Sequence, residues 1–156
     1  MPMSDYVLSL RERIGNDFLL LPGVTAVIRD GDRFLLGRAA SGEWSLIGGG
    51  VEPGEQPAEA ITREIFEETG AEARIRRIVG AYGGEPLTFD YPNGDRAGYV
   101  TTAYECHLAG PAEPDGEEIA ELGWFSREEI RELPRQGWID QVIADAVIDR
   151  SDTMPV

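Results

Sequence analysis

Three glutamates, Glu64, Glu67 and Glu68, stand beside Arg63 in the run Arg63-Glu64-Ile65-Phe66-Glu67-Glu68, and a triple glycine, Gly48-Gly49-Gly50, precedes them. From Pro57 to Thr69 the apolar positions Ala58, Ile61, Thr62, Ile65 and Phe66 recur with helical periodicity, so the glutamates are expected on another, solvent-directed face. There they are i, i+3 and i+4 neighbours, a spacing at which like charges repel by roughly 0.2–0.5 kcal/mol per pair. They also crowd the negative end of the helix dipole. A cation bound among them would reverse both penalties. All-oxygen ligands suit Mg²⁺ or Mn²⁺, and a chain with one His and one Cys offers little to zinc. In a chain with 29 acidic residues the same ridge could simply be solvated. The glycine run and Pro53-Gly54-Glu55 argue otherwise, because a solvated helix needs no loop that lets backbone approach a ligand closely.

The stretch resembles the Nudix box, G-x5-E-x7-R-E-U-x-E-E-x-G-U, through Gly49, Glu55, Arg63, Glu64, Ile65, Glu67, Glu68 and Gly70. Ala71 is smaller than the family's usual last residue, and Ile47 replaces the proline of the upstream W-x-x-P-G-G pattern; neither departure touches a charge. The resemblance implies an α/β/α sandwich with a mixed sheet and a loop-helix-loop over residues 49–71. It implies hydrolysis of the pyrophosphate bond in a nucleoside diphosphate linked to another moiety. Glu67 and Glu68 would be principal metal ligands, Glu64 a ligand or base, and Gly48 a carbonyl ligand, with Gly49 and Gly50 beside the substrate. Arg63 would orient glutamates, Glu55 included. Glu118 is the candidate for a further acidic group outside the box, against the default of a solvated acidic loop.

The box does not choose the substrate. Pro86, 16 positions after Gly70, lies near where ADP-ribose hydrolases of this family carry a proline, which favours ADP-ribose or a nucleoside-diphosphate sugar. The alternatives are a nucleoside triphosphate pyrophosphohydrolase clearing modified nucleotides, a hydrolase of dinucleotides or capped RNA, and a module that binds nucleotide without turnover.

Composition narrows the partners. A formal charge of −15 disfavours a surface that tracks long nucleic acid and leaves a small nucleotide, neutralised locally by metal. One cysteine excludes an internal disulfide, and neither a membrane-length apolar run nor a secretory h-region is visible, so a cytoplasmic, single-domain chain over 1–156 is expected.

The elements that must position the box follow from pattern. Ser4-Asp5 caps an N-terminal helix within 1–16, with Val7, Leu8, Leu10 and Ile14 as contacts to the domain or to a second subunit in a homodimer. Phe18 to Ile28 reads as a strand broken near Pro22-Gly23, and Asp30-Gly31-Asp32 turns it into a second strand to Arg38. Trp44 to Ile47 delivers the glycines. Ala73 to Tyr82 is a strand, and Pro92-Asn93-Gly94-Asp95 joins Leu87–Tyr91 to Gly98–His107 as a hairpin. After the loop 110–116 come a strand over Glu121 to Phe125, a short helix with Ser126 and Glu129 as capping box, an amphipathic helix over Ile139 to Ile148, and a fraying tail from Ser151.

Outside the box, Arg38 could reach a phosphate oxygen or merely end a strand. His107 and Cys106 read as structural, Trp44 as core or as a stacking surface, and at least one of Trp124 and Phe125 as core.

Overall fold

The computed structural model describes residues 3–148, so the expected tail beyond Ser151 lies outside the described residues. Helix α1 (Asp5–Ile14) leads into strand β1 (Leu19–Asp30), β2 (Arg33–Ala39), β3 (Trp44–Ser45) and β4 (Ile47–Gly50). Helix α2 (Pro57–Thr69) follows, then β5 (Ala73–Tyr82), β6 (Thr88–Asp90), β7 (Arg96–Leu108), β8 (Ile119–Ser126), α3 (Arg127–Glu132) and α4 (Trp138–Val147).

The strands form one mixed sheet in the order β3-β2-β1-β7-β5, with β4 on β1, β6 on β7 and β8 on β2. β1 and β7 pair in parallel from Leu19↔Ala97 to Ile28↔Cys106, while the other pairs are antiparallel. Strand alternation sends Val24, Ala26 and Ile28 to one face, against Ile61 and Ile65 of α2. Val27 goes to the other face, against Ile139, Val142 and Ile143 of α4. Helices on both faces of a mixed sheet make the expected α/β/α sandwich.

Three local expectations are corrected. β1 is not broken at Pro22. The Pro22 carbonyl accepts from the Val51 N–H, at 3.2 Å, on the β4 side. That edge has no paired residue beyond Gly23↔Gly50, so the missing proline N–H deprives no ladder of a donor. Leu8 and Phe66 are exposed, not packed, and α1 contains no buried residue at all. Lastly, the buried stripe of α2 contains Glu64 and Glu68 together with Ala60, Ile61, Ile65 and Thr69.

Candidate functional site

That third correction defines the site. Ile61, Ile65 and Glu68 are i, i+4 and i+7 and share one stripe, as do Ala60 and Glu64. The face that packs on the sheet therefore turns from aliphatic to acidic at its edge near β4. Glu64 is 5% exposed and Glu68 6%; only Glu67 faces solvent. α2 begins at Pro57, where the Glu59 carboxylate accepts the Gln56 N–H at 3.0 Å, and ends at Gly70 in the left-handed conformation (φ 68°).

The glycines matter for closeness rather than for φ. A methyl group on Gly49 would overlap the Glu64 carboxylate, and one on Gly48 would overlap the Val24 carbonyl. Thr25↔Gly48 and Val24↔Gly49 pairing holds the loop on β1, so strand and helix meet where only hydrogen fits.

Arg63 organises the carboxylates. Its Nε donates to Glu55 Oε1 at 2.7 Å and Nη2 to Glu55 Oε2 at 3.0 Å, while Nη1 reaches Glu64 at 2.9 Å and Glu67 at 3.2 Å. Nη2 also donates to the Gly50 carbonyl at 3.0 Å, so one guanidinium ties the helix, Glu55 and the glycine loop together. Hydrogen bonding to Arg63 holds Glu55 below the usual carboxylate range.

Glu68 has no such cation. Burial first, then repulsion from Glu64 and Glu118, push its carboxyl up to about 9, with only the Gly48 backbone amide favouring the anion among the main influences. Burial also raises Glu64, against the opposing pull of Arg63. Among the described residues no three His, Cys, Asp or Glu side chains converge into a complete metal cage. An ion here would complete its shell with backbone carbonyls, water or substrate oxygens, as is ordinary for Mg²⁺. The all-oxygen donor set and a buried carboxyl with no cation beside it both fit a hard dication.

Glu118 comes to the site through a device not anticipated from sequence. Asp115, in Pro114-Asp115-Gly116, accepts the N–H groups of Glu117 at 3.1 Å and Ile119 at 2.9 Å. Its own N–H donates to the Glu68 carbonyl at 3.2 Å, and the Glu113 N–H donates to the Thr69 carbonyl at 2.9 Å. The acidic loop is thus tied to the end of α2, which brings Glu118 within electrostatic reach of Glu64 and Glu68. A Pro-Asp-Gly turn is legible as a motif; its docking on α2 is not.

Arg38 lies elsewhere. It pairs with Glu121 at 2.9 Å across β2 and β8 and sits over the Trp44 ring. Trp44 is core, packed edge-on against Phe125 at 4.8 Å, and Cys106 is buried. His107 is exposed beside a hollow of about 480 Å³ that none of the box glutamates lines.

A larger cleft of about 690 Å³ opens over Gly48, Gly49, Gly50, Glu68 and Glu118. Its floor includes the buried hydroxyl pair Thr25–Thr101, at 2.7 Å. It extends to α1 and to Phe89 of β6 and Tyr99 of β7, two rings that the sequence did not single out.

The family model of the NUDIX domain matches residues 19–146. The NAD-capped RNA hydrolase NudC of Mannheimia succiniciproducens is 30% identical over 139 residues, covering 83% of this chain and 49% of that protein. The nucleoside triphosphatase NudI of an Enterobacter species is 30% identical over 119 residues, covering 70% of this chain and 84% of that protein. The chain spans about half the length of the NAD-capped RNA hydrolases it matches. A solved MutT NUDIX hydrolase from Burkholderia pseudomallei superposes with a TM-score of 0.69 at 24% identity, over 82% of this chain and 98% of that one, and so shares the fold. Among the described residues no helix is long and apolar enough to cross a membrane.

Proposed function

The chain belongs to the NUDIX family, and we propose on that premise that it is a divalent-metal-dependent hydrolase of the pyrophosphate bond in a nucleoside diphosphate linked to another moiety. One observation carries this reading. Glu68 is buried beside Glu64 and Glu118 at the edge of an open cleft, and that placement is costly unless a cation shares it.

Glu64, Glu67 and Glu68, with the Gly48 carbonyl, would hold Mg²⁺ or Mn²⁺. Such an ion supplies Lewis-acid stabilisation of charge on the phosphoryl oxygens and lowers the pKa of water. The chain's own residues do the rest. Arg63 fixes Glu55 and Glu64 in place. Gly48, Gly49 and Gly50 let the diphosphate approach the backbone. Glu64 or Glu118 accepts the proton of the attacking water. For ADP-ribose the balance is water plus substrate giving AMP and ribose 5-phosphate.

ADP-ribose or a nucleoside-diphosphate sugar is the favoured substrate. Pro86 supports it: the short 3₁₀ turn Glu85–Leu87 leads into β6, and Leu87 and Phe89 line the cleft. The similarity to a nucleoside triphosphatase over 84% of that protein's length supports triphosphate pyrophosphohydrolysis as the second reading. The net charge of −15 weighs against long RNA. Arg38, bound to Glu121, would have to leave that partner to meet a phosphate.

The test is a panel of nucleotides and nucleotide sugars incubated with Mg²⁺ or Mn²⁺, with products identified. AMP and ribose 5-phosphate from ADP-ribose, with triphosphates untouched, are expected. Turnover of triphosphates alone would replace the first reading by the second. Binding without metal-dependent product would make the chain a nucleotide-binding module.

A further inference from the structure

Helix α1 precedes the residues matched to the family, which begin at residue 19, yet Tyr6, Val7 and Arg11 line the cleft. No residue of α1 is fully buried, and Val7, Leu10 and Ile14 are half-buried. Arg11 ties the helix to the sheet. Its side chain is 11% exposed and lies between the helix end and the β6–β7 hairpin. It donates to the carbonyls of Asp17 at 2.6 Å and Arg96 at 2.8 Å, and its Nε stands 3.6 Å from the buried Asp95 carboxylate. Among the described residues that Nε has no hydrogen-bond partner, so the ion pair with Asp95 compensates it without satisfying it.

Opposite α1, the hairpin presents a cluster of rings. Phe89 and Tyr99 have centroids 5.9 Å apart, and the Tyr91 and Tyr99 hydroxyls are 3.1 Å apart. All three rings line the same cleft as Glu68. Sheet register gives their separation from the glutamates. Tyr99 is level with Leu21 on β1 and Gly48 with Thr25, four residues further on and therefore roughly 13 Å along the strand. A ligand touching both ends is extended, anionic at one end and flat and apolar at the other.

We infer that α1 and the β6–β7 hairpin form the subsite for a planar aromatic ring, the base of the nucleotide, with Tyr6 and Tyr99 as its facing walls. Arg11 is the positioning residue that sets α1 over it. Rings of this type stack on any base face, and their loss from such sites weakens binding about ten-fold or more. The subsite rests on the reading that the diphosphate lies at the glutamates, and it deepens that reading by assigning the remote group.

The test compares AMP with ribose 5-phosphate by calorimetry in the presence of Mg²⁺. AMP is expected to bind at least ~10-fold more tightly, and Tyr6→Ala or Tyr99→Leu to erase most of that preference. Arg11→Gln should weaken AMP more than ribose 5-phosphate, with partial rescue by Arg11→Lys. Equal affinity of the wild-type chain for both probes would overturn the inference, as would a preference unchanged in folded Tyr6 and Tyr99 variants. Should the variants not fold, transferred nuclear Overhauser effects between the base protons and the Tyr6 or Tyr99 ring in the wild-type chain decide it; their absence sinks the proposal. A retained AMP preference without hydrolysis of any diphosphate would reject the hydrolase and leave the subsite standing.

Discussion

Arg63 grips Glu55 with two parallel hydrogen bonds, Nε to Oε1 at 2.7 Å and Nη2 to Oε2 at 3.0 Å, across eight residues of chain. The fork geometry matters because the third nitrogen must still reach Glu64, at 2.9 Å. Lysine carries the charge but cannot make both contacts. Arg63→Lys should lower kcat by about 10- to 100-fold, the usual cost of losing a group that orients metal ligands. Steady-state kinetics with Mg²⁺ would check it, and unchanged turnover would remove Arg63 from the organising role.

Glu68→Gln separates stability from chemistry. The amide removes a buried carboxyl that burial and neighbouring acids disfavour as an anion, so the metal-free variant should melt at or above the wild-type temperature. Its kcat should fall by at least ~100-fold, as for a lost electrostatic group. Thermal melts in EDTA alongside kinetics would check both. Near-normal turnover would exclude Glu68 from the mechanism.

The pH dependence follows from the same residue. The Glu68 carboxyl is raised from the ordinary 4.5 to about 9 in the folded, metal-free chain, so folding favours its protonated form. The associated stability is full below the unfolded pKa and is lost as pH climbs through the folded one. The melting temperature without metal should therefore decline between about pH 5 and pH 9 more steeply in wild type than in Glu68→Gln. Mg²⁺ competes with that proton, so its stabilising effect should be larger at pH 8.5 than at pH 6 (both chosen as roughly inside the window). Melts across pH with and without Mg²⁺ read the sign directly.

Gly49→Ala places a methyl group into the Glu64 carboxylate. Strand β4 can hold alanine at this φ, so the chain should fold, but Glu64 must move. A displacement of that kind costs about 100-fold in turnover. A variant with wild-type kcat would mean that Glu64 does not need its present position.

Asp115→Ala removes acceptors for the N–H groups of Glu117 and Ile119. The loss of stability should be about 1 kcal/mol, as for other lost side-chain caps. Turnover should fall roughly ten-fold through Glu118, which belongs among general acid–base candidates worth that much or more. Double-mutant analysis with Glu118→Gln is the measurement, since independent effects would show that Asp115 does not act through Glu118.

Much of this is legible in the sequence alone. Helix α2, its glycine stop, the hairpin at Asn93-Gly94 and the caps at Ser4 and Ser126 follow from local rules that the tertiary structure did not override. The burial of Glu64 and Glu68 was misread because periodicity sorts residues by polarity, and here an acidic pair continues an apolar stripe. Pro22 misled for a related reason: a proline disrupts a strand only if a neighbour wanted its N–H, and pairing is a non-local fact. Charge alone cannot place Glu118; its proximity to Glu64 and Glu68 depends on the docking of the Asp115 turn on α2. The hairpin that joins Phe89 to Tyr99 was legible, but nothing in the sequence brings Tyr6 to them; that depends on the contacts of Arg11 with Arg96 and Asp95.

The alternation along β1 and β7 has a consequence for how such a chain can change. Ala26 and Ile28 look toward the helix that carries the acids, while Thr25 and, on β7, Thr101 line the cleft floor. Two inventories of residues are therefore printed on opposite sides of the same pair of strands. Substitutions that remodel what the hairpin and α1 accept can accumulate without disturbing the layer beneath α2. A repertoire of substrates can diversify over an unaltered reaction.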